Sequence, residues 1–248
     1  DVVAQSPSVE LEVGMETDSN PRREEGTEFG SDLLGRYFLS IDGVGLSGRS
    51  QQLSASYRSG GKLYQSQGDE DALINALQAR WTVLPLTEWD GRWLFVYASA
   101  SAKDRTEKGH RRDYFRGQAS AGLGVDLGPV NLHAGGGAGR FLYKPDDQLS
   151  NSGPSVDGGI SWAIAEAWSA DLGVSRAFRD YRTVRFVETT RRAGDVLADP
   201  DGALRRDGAT FVSAGLSYRG PVIVEAEGSW YANDSNSYGQ SLVRLGGT

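Results

Sequence analysis

Residues 117–139, GQASAGLGVDLGPVNLHAGGGAG, alternate twice, once on each side of a Gly128-Pro129 turn. Ala119, Ala121, Leu123, Val125 and Leu127 share one side of the period, opposed by Gln118, Ser120, Gly122, Gly124 and Asp126. Beyond the turn, Val130, Leu132, Ala134 and Ala138 oppose Asn131, His133 and glycines. Side chains of a strand point alternately to opposite faces, so a period of two predicts two strands with one apolar and one polar face each. A half-buried hairpin of a soluble sandwich has the same pattern. The rest of the chain has to choose between architectures.

The pattern recurs. VELEVGMETD sets Val9, Leu11, Val13 and Met15 against Glu10, Glu12 and Glu16, and it is followed by GRYFLSIDGVGL, LSASYRSGGKLY, INALQARWTVLPL and GRWLFVYASASAKD. After the hairpin come VDGGISWAIAE, WSADLGVSRAF, ATFVSAGLSYRG, PVIVEAEGSWYA and SYGQSLVRLGGT. That makes about twelve strands, several of them longer than the roughly 5–6 residues usual in soluble sheets. Tilted strands of about 9–11 residues are what a bilayer crossing requires. With 38% hydrophobic residues in 248, no apolar run reaches the roughly 18 residues of a membrane helix. A membrane-spanning strand needs an apolar residue only at every second position, so low average hydropathy leaves that option intact. The absence of cysteine fits an envelope protein without disulfides, as it fits many cytosolic proteins, and no Pro/Ser linker divides the chain. We therefore expect one domain over residues 1–248. A net charge of −7 with no basic stripe disfavours nucleic acid as a partner.

The connections alternate in length. Short turns (LSGRSQ, VLPLTEWDG, LGPV, IAEAW, RGPV) trade places with long polar ones: DSNPRREEGTEFGSD, SQGDED, KDRTEKGHRRD, KPDDQLSNSGPS, the stretch 176–208 and NDSNSY. One side with tight turns and one with long loops is the asymmetry of a transmembrane barrel. Greek-key crossings would not keep this order. Aromatic residues gather near the expected strand ends: Trp81, Trp89, Trp93, Trp162 and Trp168 by short turns, and Tyr57, Tyr114, Phe141, Tyr143, Trp230 and Tyr231 toward the other ends. Indole and phenol rings favour the headgroup level, and two girdles are expected.

On these grounds nearly the whole chain resembles bacterial outer-membrane β-barrels. The resemblance implies an all-β, transmembrane, antiparallel up-and-down barrel of about 12 strands, with residues 1–7 a short periplasmic segment. VELEVGMETDSNP is similar to the first strand and loop of barrels attached to envelope-secretion and surface-assembly machines, and more loosely the chain resembles small barrels of myxobacterial motility or polysaccharide-export assemblies. It departs from the family pattern in ending Leu245-Gly246-Gly247-Thr248 without a terminal aromatic residue, which puts completeness of the last strand in question. No cationic, apolar leader precedes Asp1, which fits either a cytoplasmic protein or a mature form, and the resemblance implies a mature form with its signal peptide removed. The implied location is the bacterial outer membrane, and the implied partners are its lipid, lipopolysaccharide and other envelope proteins. The function expected is that of a non-enzymatic structural component of a multiprotein envelope assembly for motility, secretion or polysaccharide export. A small passive diffusion porin and an outer-membrane hydrolase are the alternatives.

Candidate residues follow from the alternation. Glu10, Glu12, Glu16, Asp42, Arg58, Arg80, Asp126, His133, Asp157, Asp171, Glu225, Glu227 and Arg244 are expected to line the lumen, with Arg244 relieving the glutamates near the closing strands. A lumen of about twelve strands is narrow, so these charges form either a plug-like network or a transverse field across a pore. The longest connection carries Arg179, Arg182, Arg185, Arg191, Arg192, Arg205 and Arg206, a basic patch suited to lipopolysaccharide phosphates or an acidic partner. Its Asp199-Pro200-Asp201-Gly202 turn and the β-branched run 183–190 predict a hairpin prolonging two strands. His110 and His133 have no catalytic motif around them, and Gly135 to Arg140 does not match a phosphate loop. Asx-rich turns explain the two Asp-Ser-Asn runs. No cofactor, catalytic set or metal site is expected.

Overall fold

The computed structural model of the chain describes residues 3–18, 32–47, 50–188, 196–220, 223–237 and 242–247. Strands dominate: β1 (Val3–Gln5), β2 (Ser8–Asp18), β3 (Asp32–Ser47), β4 (Gln51–Tyr64), β5 (Ala72–Trp89), β6 (Arg92–Glu107), β7 (Tyr114–Asp126) and β8 (Val130–Tyr143). They continue as β9 (Asn151–Ala165), β10 (Trp168–Val184), β11 (Phe186–Glu188), β12 (Val196–Ala198), β13 (Leu204–Arg219), β14 (Ile223–Ser235) and β15 (Leu242–Gly247). Among the described residues, helix is confined to two single 3-10 turns at Gly68–Glu70 and Asp147–Leu149.

Thirteen strands form one antiparallel up-and-down sheet in which neighbours in sequence are neighbours in space, from β3 through β10 and on to β13, β14 and β15. β11 and β12 form a separate hairpin inside the β10–β13 connection. The expected twelve strands are β2 to β10 and β13 to β15. The additional one, β1, pairs with the far end of β3, Val3 opposite Ser47, while β2 pairs with the near end, Ser8 opposite Asp42. Pro7 lies between them and offers no N–H to a ladder. Across from this break β3 bulges at Gly43, whose φ of +87° few side chains tolerate.

Strand length exceeds what a soluble sheet needs. β5 has 18 residues and β10 has 17, against a usual mean of roughly 5–6. The turn expected in VLPLTEWDG falls at its end: β5 continues through VLPL to Trp89, and the chain reverses at Asp90-Gly91, with φ of +52° and +71°. Two positive φ values in a two-residue loop match the right-handed twist of the flanking strands.

The chain divides into two compact units, one of residues 1–81, 99–118 and 141–147, the other of residues 82–98, 119–140 and 148–248. In both, burial is inverted relative to a water-soluble domain. Among the described residues eleven buried side chains are polar or charged and five are apolar or aromatic. Interiors of soluble proteins bury Leu, Ile, Val and Phe and leave carboxylates outside. In the first unit Val9, Leu11, Val13 and Met15 of β2 are 64–77% exposed, while Glu70, Glu107 and Asp113 are 1–4% exposed. In the second, Ile160, Trp162 and Ile164 of β9 and Leu172 and Val174 of β10 are exposed, while Asp199 and Asp207 are buried.

Candidate functional site

The first unit gathers its charge on one face. Glu16 of β2 stands between two cations, with Arg36 Nη1 at 3.0 Å and Lys62 Nζ at 3.4 Å. The alternation puts all three on one face, because Glu16 is opposite Leu34 and Arg36 is opposite Lys62. Tyr64 donates its hydroxyl to Asp18 at 2.9 Å, extending the row. A second group comes from the 64–72 and 107–113 connections. Glu107 accepts from Arg105 Nε at 3.0 Å and from Arg112 Nε at 3.2 Å, and Arg112 Nη2 also pairs with Glu70. The backbone N–H of Glu107 donates to Asp113 at 2.6 Å, and His110 Nδ1 contacts the other oxygen of Asp113 at 2.8 Å. Burial works against ionisation of Asp113, but the His110 contact and the Glu107 N–H prevail and hold its carboxyl below the usual range. Asp32 accepts from the N–H groups of Ser66 and Gln67, at 3.1 and 2.8 Å, which folds the neighbouring connection onto the same rim. Connections read from sequence as polar loops are thus ordered by buried carboxylates. Between the two groups lies a cavity of about 490 Å³, walled by Glu12, Arg36, Lys62, Glu70, Arg105 and Arg112, with Phe38, Tyr64, Ala72 and Ile74 between the charges.

In the second unit aromatic rings pack over glycines. Phe95 lies where a Cβ on Gly124 would be, Tyr97 covers Gly122 and Gly135, and His133 covers Gly159, whose Cβ would fall 2.5 Å from the imidazole Cε1. Tyr97 donates to Asp157 at 3.3 Å and meets His133 edge to face, ring centres 6.3 Å apart. These glycines are therefore seats for aromatic rings, a role the sequence pattern does not disclose. Further along, Asp207 accepts from Arg205, Ser235 and Asn233, and Arg205 lies over the Tyr181 ring.

The remaining lumen candidates disperse. Asp42 accepts from Ser40 at 2.5 Å and has Arg58 at 4.0 Å. Asp126 caps its own turn through the N–H of Gly128 at 2.8 Å. Asp171 packs over Gly215, and Glu225 and Glu227 lie opposite Ser217 and Gly215 on β13. Arg244 is opposite Tyr231, not opposite either glutamate of β14. Glu10 alternates with exposed Val9 and Leu11. Arg80, on β5, is exposed.

Among the expected girdle residues, Trp81, Trp162, Trp168 and Trp230 are 37–48% exposed. Trp81 donates to Gln51 at 3.2 Å, and Trp168 packs on Tyr218 with ring centres 4.9 Å apart. Tyr57 donates to Asn75 at 2.8 Å, and Asn75 also accepts from Ser59, which meets the Tyr37 hydroxyl at 3.2 Å. Trp93 is half-buried two residues ahead of Phe95. Phe141 stacks with Tyr143 and packs on Tyr114, and in the β8 alternation both Phe141 and Tyr143 share the parity of His133. The side chain of Trp89 lies outside the described residues.

The basic patch separates. Arg205 is paired with Asp207, Arg185 with Asp199, and Arg206 with Asp180 at 3.2 Å. Arg179 is half-buried and Arg182 exposed on β10. Arg191 and Arg192 lie outside the described residues. β10 and β13 do continue past the bulge at Asp180 to Val184 opposite Leu204, and β11 and β12 extend the ribbon as a hairpin. Among the described residues no group of three or more His, Cys, Asp or Glu side chains is placed to hold a metal ion. Comparison with known proteins finds no matching family model and no similar curated sequence.

Proposed function

We propose that the chain is an outer-membrane β-barrel that serves as a non-enzymatic structural component of a multiprotein envelope assembly. The observation that carries this reading is the inverted burial: long strands expose Val, Leu, Ile and Trp, while the buried side chains are mostly polar, with Glu70, Glu107, Asp113, Asp199 and Asp207 buried at strand ends and connections. In water such apolar faces are an aggregation liability, whereas in a bilayer they are the required solvent contact. Backbone polar groups in lipid must pair internally, which a closed antiparallel sheet achieves and an open edge does not. Rings seated over Gly122, Gly124, Gly135 and Gly159 fill space on the polar face and favour a structural role over a wide passage. Lipid, lipopolysaccharide and neighbouring envelope proteins are the partners on this reading. A small diffusion porin is the second reading, favoured by the charged cavity of about 490 Å³.

Two measurements test it. A folded membrane barrel refolded in lipid migrates differently on gels before and after boiling, and fractionates with outer membranes. Planar bilayers then separate the two roles: the structural reading expects no unitary conductance steps, and the porin reading expects them. Recovery in the soluble fraction as a monodisperse, detergent-independent protein would overturn both.

A further inference from the structure

We infer that the apolar face of β3, β4 and β5 is a contact between two copies of this chain in the membrane. The inference rests on the barrel reading above, and it starts from polar side chains placed among lipid-facing ones. Tyr37 of β3 lies between Val13 of β2 and Gly61 of β4, while Tyr57 and Ser59 of β4 are opposite Ile41 and Leu39. Val13 is 77% exposed, so this is the outward face. On β5, Asn75 has the parity of Leu73, Leu77 and Trp81, all exposed, and the opposite parity to Ala72 and Ile74, which wall the cavity. Leucines of the same parity bracket the polar residues on every strand: Leu33 and Leu39, Leu53 and Leu63, Leu73 and Leu77. Tyr37, Tyr57, Ser59 and Asn75 are therefore inside the apolar band, not at its edge, where lone girdle rings belong.

The hydrogen bonds of the cluster converge on one atom. Tyr57 donates to Asn75 Oδ1 at 2.8 Å, and Ser59 donates to the same oxygen at 3.0 Å. A serine has a single hydroxyl hydrogen, so in the 3.2 Å contact of Ser59 with Tyr37 the phenol donates. Every hydroxyl hydrogen is then spent. What remains is the N–H pair of Asn75 Nδ2, which has no acceptor among the described residues and is not enclosed, together with lone pairs on both phenol oxygens. Acyl chains satisfy neither, and unmet donors are costly in lipid. A lipid ester or phosphate would take the donors and offer the phenols nothing. A patch with donors and acceptors side by side is complementary to itself, as a twofold contact requires: Asn75 of each copy donates to a phenol oxygen of the other. Gly35, on the same face opposite Met15 and Leu63, has nothing within 4 Å of its Cβ position, which leaves room for close approach.

The test uses the purified full chain inserted in phosphatidylcholine vesicles. The chain has no cysteine, so one introduced thiol reports contact between copies. Leu77→Cys, two residues from Asn75 on the same face, is expected to form a disulfide-linked dimer on mild oxidation well ahead of Leu172→Cys on β10, a position of similar exposure. Asn75→Leu removes the donors, and Tyr37→Phe with Tyr57→Phe removes the acceptors. Each is expected to raise the dimer dissociation constant, read by energy transfer between labelled copies, about tenfold. Both changes suit lipid, so the monomer keeps its heat-modifiable gel mobility; should either variant fail to fold, the cross-linking comparison still decides. Cross-linking no faster from Leu77→Cys than from Leu172→Cys, or a dissociation constant unmoved by Asn75→Leu, in a chain that is heat-modifiable and vesicle-inserted would overturn the dimer and leave the barrel standing. A chain that stays soluble without detergent would remove barrel and dimer together.

Discussion

The phenol of Tyr97 stands over Gly122, where an added Cβ would lie 2.6 Å from the hydroxyl oxygen, and two positions on the Phe95 ring occupies the Cβ site of Gly124. The alternation of large and absent side chains across these strands is a packing device: the ring needs the volume that glycine leaves. At Gly124 the three nearest atoms all belong to the Phe95 ring, so the conflict is chiefly with that one side chain.

Gly124→Ala is therefore expected to destabilise the fold by about 1–3 kcal/mol, the usual cost of overpacking. The same change in a Phe95→Ala background should cost far less, because the clashing ring is gone. A double-mutant cycle on denaturant midpoints measures the coupling. Strict additivity would show that Phe95 does not occupy the space over Gly124.

Leu123 is 55% exposed, and Ser120, three residues earlier, belongs to the opposite parity of β7. In lipid, Leu123→Arg is expected to cost about 2–4 kcal/mol near the bilayer midplane, and Ser120→Arg distinctly less. Refolding titrations into vesicles compare the two. Equal losses would deny the two faces different solvents, and with that the bilayer.

The fold was legible where a period or a turn is local. Twelve strands, the Asp199 to Gly202 turn and the face assignment of β7 and β8 follow from alternation and turn chemistry alone. β1 was not legible, since three residues before a proline carry no period and pair only because β3 is long enough to receive them. Site geometry was less accessible because it is non-local. Glu16 could be assigned to a polar face, but its sharing by Arg36 and Lys62 depends on the register of β2, β3 and β4. Glu70 and Arg112 sit in connections that read as solvated loops, Glu107 ends β6 beside them, and nothing in SQGDED or EKGHRRD announces that their charges meet. Asn75 likewise sits among apolar neighbours on β5, and only the register reveals Tyr57 and Ser59 as its donors.

Arg112 is the residue that neutralises Glu70 and Glu107 together. Arg112→Ala should take one partner from each of two buried carboxylates, leaving Glu107 with Arg105 and Glu70 with Arg111, and so cost less than the roughly 3–5 kcal/mol of a fully unpaired buried charge. Adding Glu70→Gln removes one of the two charges and should recover part of the loss. Hydrogen exchange at the ends of β6 and β7 reads the effect locally. Protection unchanged by Arg112→Ala would show that the cluster does not order the rim.

Asp199 ties the β11–β12 hairpin to the strand end through Arg185. Arg185 donates to its carboxylate, the N–H of Asp201 donates at 2.9 Å, and together they hold the carboxyl below the ordinary aspartate value of about 4. A group whose folded pKa is depressed contributes stability above its unfolded pKa and loses it as pH falls through the folded one. The hairpin should therefore be equally protected from pH 7 down to about 4, the ordinary aspartate value, and should open progressively below it. Asp199→Asn keeps an acceptor for the Asp201 N–H but removes the charge facing Arg185. Its hairpin should be looser at neutral pH and much less sensitive to acid. Amide exchange at Val187 and Leu197, which face each other across β11 and β12, measures both. An acid transition of the same size in Asp199→Asn would assign the pH dependence to another carboxylate and remove Asp199 as the tether.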